Sequence, residues 1–375
     1  MKDTEIKNYV IQLLDSINIH VNGKNPWDIQ VYNDHLYPRV FNQGTLGLGE
    51  AYMDKWWDCQ HLDQFFDRVI SEKLENRVVS NKLLSFKLLL ASFFNLQTIP
   101  RSLEVGKKHY DLGNDLFKNM LDSRMNYSCA YWDGVNDLDS AQINKLELIC
   151  QKLQIQPGMK ILDIGCGFGS FAKYVTEKYQ ASVVGVTISK EQQKYAMENC
   201  KGLPVEIRFE DYRKLNEEFD RIVSIGMFEH VGYRNYRTYF ETAHRCLADH
   251  GLFLLHTIGS GISVTSSNEW TVKYIFPNGM LPSIAQIGKA YEDLFVMEDW
   301  HNFGADYDKT LMAWHDNFVQ NWSRIADQYD ERFYRMWVYY LLSSAGSFRA
   351  RYNHLWQIVF SKNGVKGVYY APRHV

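Results

Sequence analysis

Residues 162–171, LDIGCGFGSF, carry the strongest indication of fold in this chain. A short apolar strand pattern, MKILDIG, runs directly into a loop with glycines at 165, 167 and 169, and the loop opens a helical stretch. Glycine lets the backbone approach a ligand closely, and the N-terminus of the following helix favours an anionic group. Because a strand precedes the loop and a helix follows it, the stretch predicts a nucleotide-binding loop.

The segments after this loop alternate between helix and strand patterns. The sequence predicts helices at FAKYVTEKY, at SKEQQKYAMENC and at YRTYFETAHRCLADHG, the last ending on Gly251. It predicts strands at ASVVGVT, VEIRFED, DRIVSIG and LFLLHTIG, then a strand at LFVMEDW, two long helices through Ala350 and a final strand at LWQIVFSK. This order favours a parallel sheet with helices on both faces.

The N-terminal part has a different pattern. Residues 1–75 predict a small α+β domain, with helices at IQLLDSI and HLDQFFDRVI and an alternating stretch from Ile19 to Phe41 that turn signals interrupt. Residues 76–105 predict a helical linker with a wide apolar side and basic residues around it. Two interpretations stay open for this linker, namely a helix packed on its neighbours and an interfacial helix that inserts its apolar face into a bilayer.

Composition excludes several classes of protein. The 375 residues are 46% hydrophobic and 23% charged, with a net charge of −3, so no basic field attracts nucleic acid. The six cysteines form no CxxC pair and no Cys/His spacing typical of zinc, which predicts free thiols, a cytoplasmic location and no metal site. The N-terminus lacks the apolar core of a signal peptide, and the longest apolar stretch, residues 83–96, is too short to span a membrane.

The residues that follow the second strand indicate which class of nucleotide the loop binds. A dinucleotide site carries an acidic residue about 20 residues after the loop, whereas this chain has GVTIS there, with Thr187 and Ser189. The DxGCGxG form, with Asp163 on the strand itself, resembles the S-adenosylmethionine-dependent methyltransferases. In this interpretation Asp163 organises the loop and reaches the amino group of the methionine moiety.

Five stretches resemble one group within that superfamily: HYDLGNDLFKNMLDSRMNYSCAYW, LDIGCGFGSFAKY, GVTISKEQ, DRIVSIGMFEHVG and LLHTIG. The group is the cyclopropane-fatty-acyl-phospholipid synthases together with the mycolic acid cyclopropane synthases. The resemblance runs from about residue 100 to the C-terminus, and the additional N-terminal part is similar to the longer, phospholipid-modifying members. It implies a class I methyltransferase fold (Rossmann-like, a mostly parallel seven-stranded sheet with helices on both faces) in a catalytic domain of residues 106–375.

The resemblance also implies the chemistry. A cis double bond of an acyl chain in a membrane phospholipid takes the methyl group of S-adenosylmethionine, and the resulting carbocation loses a proton and closes to a cyclopropane ring. Bicarbonate is the implied base. The alternatives are an amine N-methyltransferase on the same scaffold and a non-catalytic lipid- or cofactor-binding protein. As partners we expect a phospholipid bilayer at the inner face of the membrane and a second copy in a homodimer, with residues 1–75 making the membrane or dimer contacts.

The resemblance also implies which residues bind bicarbonate, because these residues stand in the motifs that match the family. Glu229 of MFEH accepts the hydroxyl of bicarbonate, and His256 of LLHTIG and Tyr307 of GADYDKTL donate to its oxygens. Cys129 and Ile258 contribute their backbone N–H groups. Glu229 and His256 each follow a predicted parallel strand, at the edge of the sheet where such folds bind ligands.

The resemblance assigns the cofactor contacts in the same way. Tyr127 and Ser128 cover the methionine part, and Tyr212 flanks the adenine. The remaining predicted contacts lie at the ends of the first two strands of the catalytic domain and in the segments that follow them, at Asp163, Gly165, Cys166, Gly167, Gly169, Thr187, Ile188, Ser189 and Gln192.

Two further features bear on the chemistry. The segment MNYSCAYW, residues 125–132, has no charged side chain, and its aromatic rings favour cationic groups and exclude water. Ser344, in LLSSAGSFRARY, stands where several relatives have a cysteine. Because a serine with no evident base is a poor nucleophile, we expect Ser344→Ala to keep substantial activity; a folded but inactive variant would contradict this.

Overall fold

The computed structural model describes residues 2–74 and 113–375. The predicted helical linker at 76–105, and the predicted domain boundaries on either side of it, lie outside the described residues. Within those residues, no helix is long and apolar enough to cross a membrane.

The helices and strands are numbered here along the described residues. The helices are α1 Asp3–Asp15, α2 Leu36–Met53, α3 Leu62–Ser71, α4 Asn114–Met120, α5 Leu138–Lys152, α6 Ser170–Tyr179, α7 Lys190–Asn199, α8 Tyr236–Cys246, α9 Glu269–Tyr274, α10 Ile284–Tyr291, α11 Ala305–Asn321 and α12 Glu331–Arg349. The strands are β1 Ile29–Val31, β2 Trp57–Cys59, β3 Lys160–Ile164, β4 Ser182–Thr187, β5 Val205–Phe209, β6 Phe219–Ile225, β7 Leu247–Ser260, β8 Val296–Asn302 and β9 Asn353–Ser361.

The larger of two compact units, which we call the sheet unit, comprises Leu121–Ser263, Met280–Thr310 and His354–Val375. Its sheet has seven strands in the order β5-β4-β3-β6-β7-β9-β8. The pairs β5–β4, β4–β3, β3–β6 and β6–β7 are parallel, and β8–β9 is antiparallel. The predicted fold class, a mostly parallel α/β sheet of the class I methyltransferase type, is confirmed.

Alternating strand residues build a core on each face of this sheet. Leu162 of β3 packs in a cluster that includes Phe240 of α8. Its neighbour Ile161 packs in a second cluster with Ile149 of α5 and Val175 of α6. Because successive side chains of a strand point to opposite faces, the helices cover both faces of the sheet, as the sequence predicted.

The described residues of the other unit fall within Met1–Met120, Val264–Gly279 and Leu311–Asn353. It contains the antiparallel pair β1–β2, and α12 lies against α3: a Cβ added to Gly346 would lie 2.5 Å from the Asp63 carbonyl oxygen. The Arg349 guanidinium also binds the Asp63 carboxylate at 2.6 Å. In this unit, N-terminal residues pack with segments that the sequence analysis assigned to residues 106–375.

Three sequence predictions of secondary structure need correction. The helix predicted to reach Gly251 ends at Cys246, because Leu247 leaves it to pair with Phe219 of β6. The alternating pattern through Phe41 gives way to α2 at Leu36, where the Asn33 carbonyl accepts the Leu36 N–H. The sequence analysis assigned no helix to Leu138–Lys152, whose first turn is capped by the Asp137 carboxylate.

Candidate active site at the carboxyl edge of the sheet

The predicted site residues converge because parallel strands end at a common edge of the sheet. The backbone N–H groups of Gly165 and Cys166, just after β3, both donate to the Val186 carbonyl of β4, at 3.0 and 3.1 Å. The Gly226 N–H, just after β6, donates to the His256 carbonyl of β7 at 2.9 Å. Five consecutive parallel strands therefore bring their following loops to one edge.

The glycines of the loop after β3 have different surroundings. All three have positive φ: +83° at Gly165, +52° at Gly167 and +78° at Gly169. A Cβ at Gly165 would lie 2.6 Å from the Met227 side chain, whereas a Cβ at Gly167 would meet no atom within 4 Å. Gly167 is thus the point at which the loop leaves its backbone open to a ligand. Cys166 points away into a small apolar cluster, where burial raises the pKa of its thiol.

Asp163 lies buried at the end of β3, and its surroundings include a lysine that the sequence analysis did not identify. Burial raises the pKa of Asp163 to about 7, and the nearby charge of Lys145 opposes this rise. Lys145, on α5, is itself 1% exposed. Burial lowers the pKa of its ammonium group to about 8, and the nearby Asp122, Cys129 and Asp163 oppose this lowering.

Lys145 binds the MNYSCAYW segment. Its Nζ donates to the Asn126 Oδ1 and to the Ser128 Oγ, both at 3.1 Å. The Ser170 hydroxyl at the start of α6 donates to the same Asn126 oxygen at 2.8 Å. The sequence did contain a signal, because Lys145 lies four residues from both Ala141 and Ile149, on the buried side of its helix.

The residues after β4 and β5 form an open part of the edge. The Thr187 hydroxyl donates to the Gln192 Oε1 at 3.1 Å, and Ser189 caps α7. Ile188 is 77% exposed. Tyr212 packs edge-on against Tyr239 at a centroid distance of 5.4 Å. A cavity of about 450 Å³ lies here, lined by Ile188, Arg208, Phe209, Glu210, Asp211 and Lys214.

Glu229 lies buried just after β6. Its Oε1 accepts the Ile258 backbone N–H at 2.6 Å. Its Oε2 is buried with no hydrogen-bond partner among the described residues. Burial raises the pKa of this carboxyl to about 7, while the Ile258 N–H and the Thr257 hydroxyl oppose the rise. The Ile258 N–H, predicted to bind the anion, is here directed to Glu229; its role toward an anion stays a prediction.

His256, on β7, is buried, and its surroundings favour the neutral imidazole. Burial lowers the pKa of its imidazole well below the usual value, and the charges of Lys145 and Lys152 lower it further. Its Nδ1 lies 3.3 Å from the Gln357 Nε2 of β9. Its Nε2 is buried and, within the described part of the chain, has no partner. The sequence analysis did not identify Gln357, a polar residue within the apolar run LWQIVF of a buried strand.

The MNYSCAYW segment is held by the first turns of α11, the helix that carries Tyr307. The Thr310 hydroxyl accepts the Ala130 N–H at 3.1 Å and the Trp132 indole N–H at 3.0 Å. The Asp306 carboxylate accepts the Trp132 backbone N–H at 2.9 Å. Tyr307, between these two residues of the helix, is 8% exposed. The structure therefore brings the predicted segment against the helix that carries Tyr307.

Cys129 is fully buried within this segment. Burial, together with the nearby Asp306 carboxylate, raises the pKa of its thiol well above the usual value, so the thiolate is disfavoured. Its Sγ donates to the Ala130 carbonyl at 3.2 Å. This environment favours Cys129 as a small apolar residue, because a nucleophilic cysteine needs an accessible thiolate.

Aromatic rings connect this segment to His256. Phe303 packs edge-on against Tyr131 at a centroid distance of 5.1 Å and against His256 at 5.9 Å. Ser128 lies beside the end of β6, because a Cβ at Gly226 would be 3.9 Å from the Ser128 Cβ. Tyr127 is half-buried next to it. Among the described residues, no group of three or more acidic, histidine or cysteine side chains could hold a metal ion.

Comparison with known proteins decides the family. Residues 97–358 match the family model described as mycolic acid cyclopropane synthetase. The chain is 55% identical over 357 residues to the cyclopropane-fatty-acyl-phospholipid synthase of Escherichia coli K12, covering 95% of this chain and 94% of the relative. The chain belongs to the cyclopropane synthase family. Like the other members of this family, it is an enzyme of the methyltransferase class, and its recognition from sequence is confirmed.

Solved structures agree with this assignment to the cyclopropane synthase family. Mycolic acid cyclopropane synthase CmaA1, complexed with SAH and CTAB, matches with a TM-score of 0.65 and 34% identity, over 71% of this chain and 99% of that one. Coclaurine N-methyltransferase, bound to N-methylheliamine and SAH, matches with a TM-score of 0.66 but only 23% identity, over 84% and 99% of the two chains. The second similarity shows the fold alone.

Proposed function

We propose that this chain transfers the methyl group of S-adenosylmethionine to the cis double bond of an unsaturated acyl chain in a membrane phospholipid and then closes a cyclopropane ring. The observation that carries the proposal is a pair of buried polar atoms, the Glu229 Oε2 and the His256 Nε2, neither with a partner in the described residues. Buried polar atoms are almost always hydrogen-bonded in folded proteins. A ligand with both a hydroxyl donor and acceptor oxygens would satisfy this pair.

Bicarbonate has that combination of groups, and we propose that it is the base. Glu229 would accept its hydroxyl, and His256, kept neutral by burial, would donate to one of its oxygens. Tyr307 and the backbone N–H of Cys129 complete the proposed set. In this role bicarbonate takes the proton that the transferred methyl group loses before the ring closes.

The carboxyl edge fits S-adenosylmethionine. The open space at Gly167 lets the loop backbone approach the ligand, and the cavity beside Ile188 and Phe209 has apolar and charged walls suited to an adenosine. Asp163 and Ser128 would bind the methionine end, Thr187 and Gln192 the ribose side. The bound cosubstrate supplies an electrophilic methyl group on a sulfonium.

Residues 125–132 would surround the reacting carbon and protect the carbocation from water. The described side chains of residues 125–132 that are buried or half-buried include two tyrosines and a tryptophan, with no acid or base that could attack a carbocation. Aromatic faces stabilise a cation by about 0.5–2 kcal/mol, depending on desolvation. The same rings keep water from converting the cation into an alcohol.

The lipid arrives from a bilayer, so we propose peripheral binding at the inner face of the membrane and a homodimer, with contacts from residues 1–75 and the linker at 76–105. Support comes from the sequence pattern of the linker. Flotation of the chain with unsaturated phospholipid vesicles tests the first point, using Leu89→Glu with Phe93→Glu as the variant. Undiminished flotation would exclude that face.

The decisive experiment mixes purified protein, S-adenosylmethionine and vesicles of a monounsaturated phospholipid, followed by mass spectrometry of the acyl chains. We expect a gain of one methylene group that survives mild hydrogenation, which reduces a double bond but spares the ring. Carbon dioxide-free buffer should slow the reaction and added bicarbonate restore it. Cofactor binding without any lipid product would contradict the proposal, and methylation of soluble amines would then support the N-methyltransferase alternative.

A further inference from the structure

Gln357 makes a contact with His256 that the proposed chemistry does not yet use. The two residues lie on neighbouring strands, β9 and β7. Both are almost fully buried, at 0% and 1% exposure. The Gln357 Nε2 lies 3.3 Å from the His256 Nδ1. Within the described residues, the His256 ring makes its hydrogen bond through Nδ1, to Gln357, because Nε2 has no partner.

The contact determines which nitrogen of His256 carries the proton. A neutral imidazole has one N–H donor and one acceptor nitrogen, and the hydrogen bond at one nitrogen sets the state of the other. In the structure the amide NH₂ of Gln357 faces Nδ1, while its Oε1 is buried without a partner in the described residues. Because an NH₂ group can only donate, this orientation of the amide makes Nδ1 the acceptor. The proton then lies on Nε2, which becomes the donor toward a ligand.

The charges around this pair explain why a neutral amide suits the position. Lys152 is fully buried and binds Asp299 at 3.3 Å and the His301 Nδ1 at 3.1 Å. His301 pairs with Gln357 across β8 and β9. The charge of Lys152 therefore acts close to His256 and disfavours a second positive charge there. A carboxylate at 357 would instead accept from Nδ1–H and favour the opposite tautomer or the imidazolium.

We propose that Gln357 is a positioning residue that fixes the tautomer of His256, leaving Nε2–H as the donor to an anion bound beside Glu229. The part of this inference that concerns the anion rests on the proposed function; the part that concerns the tautomer does not. Gln357 itself acts through His256, without touching the reacting atoms.

The test is ¹⁵N NMR of the protein labelled at histidine, because the ¹⁵N shift of each ring nitrogen reports its protonation. His256→Asn assigns the signals among the 12 histidines. In the unchanged chain we expect a protonated Nε2 and an unprotonated Nδ1. In Gln357→Glu we expect the pattern to reverse or both nitrogens to be protonated, with turnover at least 100-fold lower and cofactor affinity within about threefold.

Gln357→Met, of similar length but without a donor, is the second variant. We expect it to show a mixture of tautomers and an intermediate loss of turnover, with a higher bicarbonate concentration needed for half-maximal rate. A protonated Nδ1 in the unchanged chain would overturn the inference, whether or not either variant folds. If the tautomer is as inferred but His256→Asn forms rings at the full rate, the role of Gln357 on the tautomer stands and the proposed role of His256 fails.

Discussion

The loops after β4 and β5 and the loops after β6 and β7 lie at the same edge of one sheet, yet the pairing of their polar atoms and the exposure of their neighbours differ. After β4, Ile188 is 77% exposed, and the hydroxyl of Thr187 is paired with Gln192. After β6 and on β7, Glu229 and His256 are 7% and 1% exposed, and each keeps one polar atom without a partner in the described residues.

Under the proposed function, this difference separates two tasks of one site. A part that admits and releases a nucleotide needs an open entrance, and its polar groups can bind water or each other between turnovers. A part that handles a carbocation must exclude water, so its polar groups are buried and acquire shifted pKa values. We therefore expect substitutions in the closed part to affect turnover and substitutions in the open part to affect cofactor affinity.

The largest effect should come from Glu229→Gln. The amide keeps the shape and still accepts the Ile258 N–H, but it places an NH₂ or a weaker acceptor where the carboxylate would bind the proposed anion. We expect turnover to fall by about 10³-fold, within the usual range for loss of acid–base assistance. Cofactor affinity, measured by calorimetry, should stay within threefold. A large loss of cofactor affinity with normal turnover would reverse the division between the two parts.

The same variant should be more stable above neutral pH. The folded state holds the Glu229 proton up to a pKa of about 7, whereas the unfolded state releases it near 4.5. Stability of the unchanged chain therefore falls as pH rises between these values, by up to about 3 kcal/mol at roughly 1.4 kcal/mol per pKa unit. Urea unfolding should show Glu229→Gln more stable at pH 8 and equal at pH 4. The exposed Glu218→Gln is the control, and a pH-independent difference would contradict the mechanism.

Lys145→Met tests the buried lysine that binds the MNYSCAYW segment and lies near Asp163. Methionine keeps the length of the side chain but loses the hydrogen bonds to Asn126 and Ser128 and the positive charge near Asp163. Hydrogen bonds to charged groups contribute about 1.5–3 kcal/mol, so we expect cofactor affinity to fall by about 10- to 100-fold. Lys152→Met, on the same helix face but bound to Asp299 and His301, is the matched control for affinity. Equal losses in both variants would indicate a general folding defect.

The smallest effect should come from Gln192→Ala in the open part. It removes the half-buried partner of the Thr187 hydroxyl, so the loss of one neutral hydrogen bond should weaken cofactor binding by about three- to tenfold. Turnover at saturating cofactor should be unchanged. A drop in that saturated rate would show that the open part also shapes the reacting end.

The sequence predicted the fold because the decisive features are local. The order of strand and helix patterns and the glycine loop at residues 163–169 were sufficient for the parallel sheet and its binding edge. The end of α8 was wrong by several residues, because the pairing of Leu247 with Phe219 is a contact between segments distant in the sequence.

The sequence analysis identified only those candidate site residues that belong to recognisable motifs. Glu229, His256 and Cys129 stand in short recognisable stretches, but Lys145 and Gln357 lie within apolar helix and strand patterns. Their importance arises from the partners they meet, Ser128 across 17 positions and His256 across 101. No local pattern encodes such a pairing, so the partners of these two residues became visible only in the folded structure.

The contact between Gly165 and Met227 has an evolutionary consequence. The methionine side chain occupies the space that any side chain at 165 would need. The loop after β3 and the loop after β6 are therefore not free to diversify separately. A lineage that changed the loop after β6 would have to keep a side chain at position 227 that packs against Gly165. A lineage that replaced Gly165 would first need a smaller residue at position 227. Among diverging descendants these two positions should change together or remain fixed.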